Sequence, residues 1–462
     1  MKRIIACIMI VSMLIMLAGC GADNSVSDNM GIIDLDNMSV EGKGVTLDGK
    51  NINITSGGEY NIFGSLNNGM IYVDTSDSVI LSLDNVNIHN EKAPAIYIER
   101  ADMATVRLAS EEASYISTAS DSEDENGAIY SKAELVFDGV GSARIVSSSG
   151  SGVMCTENVT IDNGDYTIDS GEHGIETDKL LHVRSCYMSV YAKGGKGLKA
   201  EKGLTVDDGS ISLVTGDEGM ESKGTLVING GSINIESSED GINTGTPDSE
   251  KTTTEKTETE KPEIPHEPPQ MPEGGKRPHM PDGERPPMPD GERPPMPDMP
   301  KIDPEFARAH SITINGGTLF IKAEGDGIDS NGDLTINGGK IIVDGPSVMD
   351  NGSLDCDGTM TIAGGTVLAV SNGGMVQLPR GEENQRIISL NAGNQTSGSY
   401  VEVKDADGNV LIDHTAGRDF TNIIISHEKI KSDTEYSIYI NGDKVEAEET
   451  KGFFGRHNVN GQ

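Results

Sequence analysis

Tryptophan is absent from this 462-residue chain, and Phe and Tyr bring the aromatic share to only 4%. A core built around large aromatic side chains is therefore excluded, and burial has to come from aliphatic residues used many times over. Cysteine is scarce as well. Of the five, Cys7 and Cys20 fall near the start, while Cys155, Cys186 and Cys356 are far apart and show no CxxC or Cys/His spacing, which argues against a disulfide framework or a zinc site. Positive charge is in short supply, with 36 Lys and Arg against 74 Asp and Glu and a net charge of −38. Nucleic acid and anionic membrane surfaces are poor partners for such a chain, and divalent cations are natural ones. Long apolar runs are missing except for Ile4 to Ala18, which is shorter than the roughly 20 residues a spanning helix needs.

That run follows Lys2 and Arg3 and ends in Leu17-Ala18-Gly19-Cys20. A positive start, a short apolar stretch and small residues before a cysteine read as a secretory signal closing in a lipobox. Residues 1–19 are expected to be removed and Cys20 to be lipidated. The protein would then be held at the extracellular face of the cell membrane, with residues 20–40 as a tether.

Glycine is what the chain has in excess, with 57 residues, and much of it is periodic. Val227-Ile228-Asn229-Gly230-Gly231, Thr313-Ile314-Asn315-Gly316-Gly317, Thr335-Ile336-Asn337-Gly338-Gly339 and Thr361-Ile362-Ala363-Gly364-Gly365 are copies of one corner. A second motif interleaves with it as His173-Gly174-Ile175-Glu176, Lys196-Gly197-Leu198-Lys199, Glu218-Gly219-Met220-Glu221, Asp240-Gly241-Ile242-Asn243 and Asp326-Gly327-Ile328-Asp329. Gly231 to Gly241 and Gly317 to Gly327 are steps of 10, and Gly317 to Gly339 is a full repeat of 22. Short segments alternating with period two, such as Leu226-Val227-Ile228 and Ile233-Asn234-Ile235, read as strands with one buried face. Three strands per repeat, with no helical segment, exclude a leucine-rich repeat, and the regular period argues against a sandwich. The fold expected is all-β, a parallel β-helix of about 22 residues per coil. Gly69-Met70-Ile71-Tyr72, Ala95-Ile96-Tyr97 and Ala128-Ile129-Tyr130 are looser N-terminal versions of the second motif.

The helix is expected over residues 41–376. Residues 246–309 interrupt it with the tandem Arg-Pro-Pro-Met-Pro-Asp-Gly-Glu type repeats, which are incompatible with strand or helix and read as a disordered, extended insertion within one coil. After about Gln377 the period is lost, and residues 377–462 read as a small antiparallel β-module with turns at Asp407-Gly408-Asn409 and Asn441-Gly442-Asp443.

Stacking turns one sequence position into a surface ladder. The residue after each apolar step should point outward, giving Tyr72, Tyr97, Tyr130, Met154, Glu176, Lys199, Glu221, Asn243 and Asp329 in order along the chain. The corner row before it gives His173, Lys196, Glu218, Asp240 and Asp326. Carboxylates on adjacent rungs stand about 5 Å apart and repel one another, a conflict that calcium, with its six to eight oxygen ligands, resolves. Candidate calcium ligands are Glu176, Glu218, Glu221, Asp240, Asn243, Asp326 and Asp329, with Asp178 nearby. The tyrosines are candidate stacking platforms for sugar rings, and Lys196 and Lys199 the candidate contacts for an acidic group. As bases for a β-elimination the two lysines are poor choices, because neighbouring carboxylates raise a lysine pKa.

The paired motifs in register, with Ala95-Ile96-Tyr97-Ile98-Glu99-Arg100-Ala101-Asp102 and Ala128-Ile129-Tyr130-Ser131-Lys132-Ala133-Glu134-Leu135, resemble a bacterial carbohydrate-binding domain family typified by a clostridial cellulose- and polygalacturonate-binding protein. The resemblance spans about residues 40–440. It implies a right-handed β-helix shaped like the pectate lyases, calcium sites, surface exposure, and binding of acidic plant polysaccharide without established cleavage. The leading expectation is thus a non-catalytic, lipid-anchored polysaccharide binder. A calcium-dependent polysaccharide lyase and an envelope adhesin or scaffold, its Pro-rich arm docking a partner, are the alternatives.

Overall fold

Each coil is three strands long, and its alternation decides what goes inside. In one coil, Thr225–Ile228, Ser232–Ser237 and Ile242–Thr244 bury every second side chain. They pair in parallel with Gly203–Val206, Ser210–Thr215 and Met220–Ser222 of the coil before. Repetition gives a parallel β-solenoid of about 11 turns and roughly 23 residues per turn, as the periodicity of the sequence predicts. The computed structural model describes residues 29–120, 127–245, 304–349, 351–372, 374–381, 385–431 and 434–445. The expected leader, Cys20 and the Pro-rich stretch up to residue 303 lie outside the described residues. Pairing resumes in register on the far side of that stretch, with Leu226 opposite Ile312, Ser232 opposite Thr318 and Ile242 opposite Ile328. A short helix, Pro304–Ala309, leads back into the coil.

The interior consists of aliphatic ladders. Leu204, Leu226, Ile312 and Leu334 follow one another in register and are fully buried. Each such side chain stabilises the fold by about 1.5–3 kcal/mol relative to exposure, and this repetition supplies the core that the lack of aromatics denies.

The two glycine motifs serve different needs. The second glycine of each corner has a positive φ, +91° at Gly231 and Gly317 and +93° at Gly339, which an L side chain rarely adopts. The glycine of the acidic step is required by space instead. A Cβ on Gly219 would stand 2.3 Å from Ile235 Cγ2 and 2.5 Å from the carbonyl oxygen of Gly241 on the next rung.

The asparagines of the corner motif form a ladder of their own. Asn337 Nδ2 donates to Asn315 Oδ1 and Asn315 Nδ2 to Asn229 Oδ1, both at 2.8 Å, and Asn229 Nδ2 donates to Asp207 Oδ1 at 2.7 Å. Asp207 also meets His182 Nε2 at 2.7 Å. The next corner has Ala363, where the ladder stops. Exposed bonds of this kind contribute about 0.5–1.5 kcal/mol each. Asn315→Ala, which breaks two, is expected to lower the urea midpoint, while Ala363→Asn, which adds a rung, is expected to raise it. Equal midpoints for both variants would show that the ladder contributes nothing.

At the N-terminus the solenoid begins earlier than the sequence suggests. Met30–Asp34 pairs in parallel with Gly58–Asn67, so residues 30–40 are not a tether. Ile33 and Leu35 are buried and commit this segment to the first coil. Ser39–Glu41 folds back antiparallel on it, and Val45–Asp48 pairs antiparallel with Asn51–Ile54, so the exposed first edge is covered. At the other end Phe420–His427 lies antiparallel on Thr366–Ser371, the last long strand of the solenoid. A four-stranded antiparallel sheet of Tyr400–Asp405, Val410–Thr415, Tyr436–Ile440 and Asp443–Lys444 follows. Its core reaches back onto Ile342, Leu368 and Val370 of the solenoid. Asp344 clamps the two parts, accepting from Gly417 N–H and meeting His414 Nε2, each at 2.8 Å.

Candidate functional site

One 12-stranded sheet carries every outward residue of the second motif. Its register runs Tyr72, Tyr97, Tyr130, Met154, Glu176, Lys199, Glu221, Asn243, Asp329 and Asp355, one per rung. The row passes through three chemical environments.

The first is aromatic. Tyr72 and Tyr97 meet edge to face with centroids 5.4 Å apart, and Tyr97 and Tyr130 likewise at 5.2 Å. The expectation of open stacking platforms does not hold here, since Tyr97 is only 6% and Tyr130 5% exposed. At the spacing of one rung each ring covers its neighbour, and Tyr97 Oη donates to Glu99 while Lys132 lies 5.4 Å over its ring. These tyrosines pack the sheet.

The second is a network of half-buried charges around a groove of about 460 Å³. Lys196 Nζ lies 2.6 Å from Glu218, 2.8 Å from Asp217 and 3.5 Å from Glu221. Lys199 Nζ lies 2.6 Å from Glu176 and 3.8 Å from Glu201, and Lys223 reaches Glu201 at 3.7 Å. Burial alone would depress Lys196 and Lys199, but their carboxylate partners outweigh it and hold both above the ordinary lysine value. Burial and a hydrogen bond shared with Asp217 push Glu218 up to about 7. His173 is lowered to about 4, chiefly by burial, and its Nδ1 accepts the backbone N–H of Lys196 at 2.9 Å. Glu176, Glu218 and Glu221 are thus held by lysines, and Asp178 is exposed beside them.

The third environment is acidic. One carboxylate oxygen from each of Asp326, Asp329 and Asp355 lies within 4.8 Å of the others. Burial first, then the charges of Asp240, Asp326 and Asp355, push Asp329 up to about 8. Asp326 is raised to about 7 by burial and by Asp240 and Asp355. Asp240 stands one rung back, its carboxylate accepting the N–H of Asp326 at 2.6 Å, and burial lifts it to about 6. Asn243, the rung neighbour of Asp329, has a buried Oδ1 with no hydrogen-bond partner among the described residues, and its Nδ2 lies 3.4 Å from Glu218. Three carboxylates and an amide oxygen are hard donors that suit calcium rather than zinc.

Asp355 falls outside the motif because Ser353-Leu354 replaces Gly-Ile on that rung. Spacing would have found it: Asp355 precedes Thr361 of the next corner by six residues, as Asp329 precedes Thr335. Asp217 and Lys223 have no such signal, since only folding brings them to Lys196 and Glu201.

A family model described as carbohydrate-binding domain-containing protein matches residues 48–261. A protein of the same description from Acetivibrio thermocellus is 28% identical over 171 residues, which are 33% of this chain and 60% of that one. The family resemblance carried by the paired motifs is therefore borne out. A solved structure titled as a polysaccharide lyase-like protein from C. thermocellum, in a gadolinium derivative, is 18% identical with a TM-score of 0.35, covering 77% of this chain and 98% of that one.

Proposed function

We propose that this chain binds polysaccharide without cleaving it, through the outer face of the 12-stranded sheet, with calcium held by Asp326, Asp329 and Asp355 and assisted by Asn243. The observation that carries the reading is the convergence of one carboxylate oxygen from each of Asp326, Asp329 and Asp355 within 4.8 Å, with the buried Oδ1 of Asn243 on the rung next to Asp329, beside a groove whose lysines are already compensated. A chain of net charge −38 repels an acidic glycan, and a bound cation supplies the attraction that the protein lacks. Uronate-bearing plant polysaccharide such as polygalacturonate is the ligand that uses such a bridge, with Lys196 and Lys199 at the groove wall. The family description supports carbohydrate as the ligand class. With Cys20 lipidated, the solenoid would stand on the outer face of the membrane.

The groove offers poor material for β-elimination. Lys196 and Lys199 are held protonated by their acids, and the acceptor nitrogen of His173 is engaged by a backbone N–H. Titration calorimetry on the intact protein tests the metal directly: Asp329→Asn and Asp355→Asn are each expected to weaken calcium binding roughly tenfold or more. In polygalacturonate gels, retardation should appear with calcium and vanish in EGTA. Calcium-independent retardation, or none in any glycan gel, contradicts the proposal. Ultraviolet absorbance from unsaturated uronates, lost in Lys196→Ala, would establish a lyase instead.

A further inference from the structure

We infer that a second glycan site, for an uncharged polysaccharide, lies on a different sheet of the solenoid, around Tyr187 and Tyr191. The inference rests on the polysaccharide-binding reading but uses none of the residues of the calcium face. Tyr187 is 69% and Tyr191 52% exposed, more than any other aromatic side chain among the described residues. They project from one strand, Tyr187–Ala192, whose alternate residues Met188, Val190 and Ala192 are buried in the core. Ser189 lies between them on the same face. The adjoining strand places Ser210 beside Tyr187, Ser212 beside Ser189 and Val214 beside Tyr191.

These six outward positions carry no charge, in a chain whose surface is otherwise dominated by carboxylates. On the other side of the tyrosine strand Asp165 stands beside Tyr187, and Asp169, paired with Arg144, stands beside Tyr191, while one strand beyond Val214 Glu236 pairs with Lys322 at 2.7 Å. A polyanion gains nothing at such a window, and an uncharged chain meets no repulsion there. Tyrosine rings offer an apolar face with a polar tip, and serine hydroxyls both donate and accept, which is the mixed chemistry of a sugar. Four residues of extended strand separate the rings by about 13 Å, a reach that suits an oligosaccharide rather than a single sugar. Farther along the same rows the outward residues become the apolar Ile342 and Leu368, and there the chain's own C-terminal strands cover them. At Tyr187 the face is amphipathic and open.

Affinity electrophoresis of the full chain in gels of hydroxyethylcellulose, xyloglucan, galactomannan and polygalacturonate, each in EGTA and in calcium, tests this. Wild type is expected to be retarded in at least one uncharged gel regardless of calcium. Tyr187→Ala/Tyr191→Ala should weaken that retention roughly tenfold while leaving calcium-dependent retention by polygalacturonate intact, which doubles as a check of folding. Tyr187→Phe/Tyr191→Phe, which keeps the rings, should retain most of the binding. Retention by polygalacturonate alone, or uncharged-gel retention unchanged in the alanine variant, overturns the inference and leaves the calcium face standing. Absence of retention in every gel overturns both. A wild-type dimer that sediments as a monomer in the alanine variant, with glycan retention unchanged, assigns the patch to a second copy of this chain instead.

Discussion

In EGTA, the melting temperature is expected to fall as pH rises from about 6.5 through about 8, and calcium should abolish or reverse that slope. Asp329, Asp326 and Glu218 have folded-state pKa values pushed up to about 8, 7 and 7, so over this window the folded chain binds more protons than the unfolded one. Stability then decreases with rising pH, because unfolding releases the carboxylates to ionise freely in water. The opposite contributions lie lower. His173 and His427, depressed by burial, bind fewer protons when folded and make stability rise with pH only up to their unfolded value of 6.5. Carboxylates held below their ordinary range, such as Glu176 and Asp217, act lower still. Each tenfold change in a group's proton affinity is worth about 1.4 kcal/mol, so the summed effect is on the order of a few kcal/mol. Asp329→Asn should flatten the slope and raise the melting temperature of the metal-free protein above pH 8. A flat profile in EGTA, or one that calcium leaves unchanged, would mean that these carboxylates are solvated and the cluster holds no cation.

Gly219→Val is expected to be strongly destabilising in the middle of the solenoid. The new side chain would point into Ile235 Cγ2 and the Gly241 carbonyl, each within 2.5 Å of the added Cβ. That carbonyl accepts the N–H of Met220 at 3.1 Å, so making room means parting two rungs. Overpacking of this kind costs about 1–3 kcal/mol, and valine's branch places it at the upper end or beyond. Each coil contacts only its neighbours, so the damage should open the solenoid locally before it unfolds globally. Urea denaturation should show an early transition or a lowered midpoint, with protease cleavage near residue 219. Gly408→Ala is the control: its φ is +86° but nothing lies within 4 Å, so only about 1 kcal/mol of backbone strain is at stake. Equal midpoints for the two variants would refute the steric reading of the acidic step.

The 22-residue spacing of Gly317 and Gly339, with alternation between them, contains the solenoid because each coil repeats one set of local choices. The ladder from Tyr72 to Asp329 was legible for the same reason, period two leaving no freedom in which residues face out. Where the repeat frays, the signal is lost. Met30–Asp34 has too short a pattern to announce a coil, and Asp355 sits on a rung whose glycine has become Ser353.

Period and turn chemistry alone fix the path of the regular coils and the identity of each outward row. Which of those side chains are accessible, and which meet, depends on how the coils stack. Rung spacing brings Tyr97 against Tyr130 and closes both from solvent, while Tyr187 and Tyr191 stay open. Lys196 and Lys199 capture Glu176, Glu218 and Glu221, while carboxylate oxygens of Asp326, Asp329 and Asp355 converge within 4.8 Å farther along the same face. Those outcomes depend on distances between coils, and a distance between residues 22 or more apart in the chain is set by packing rather than by any local pattern.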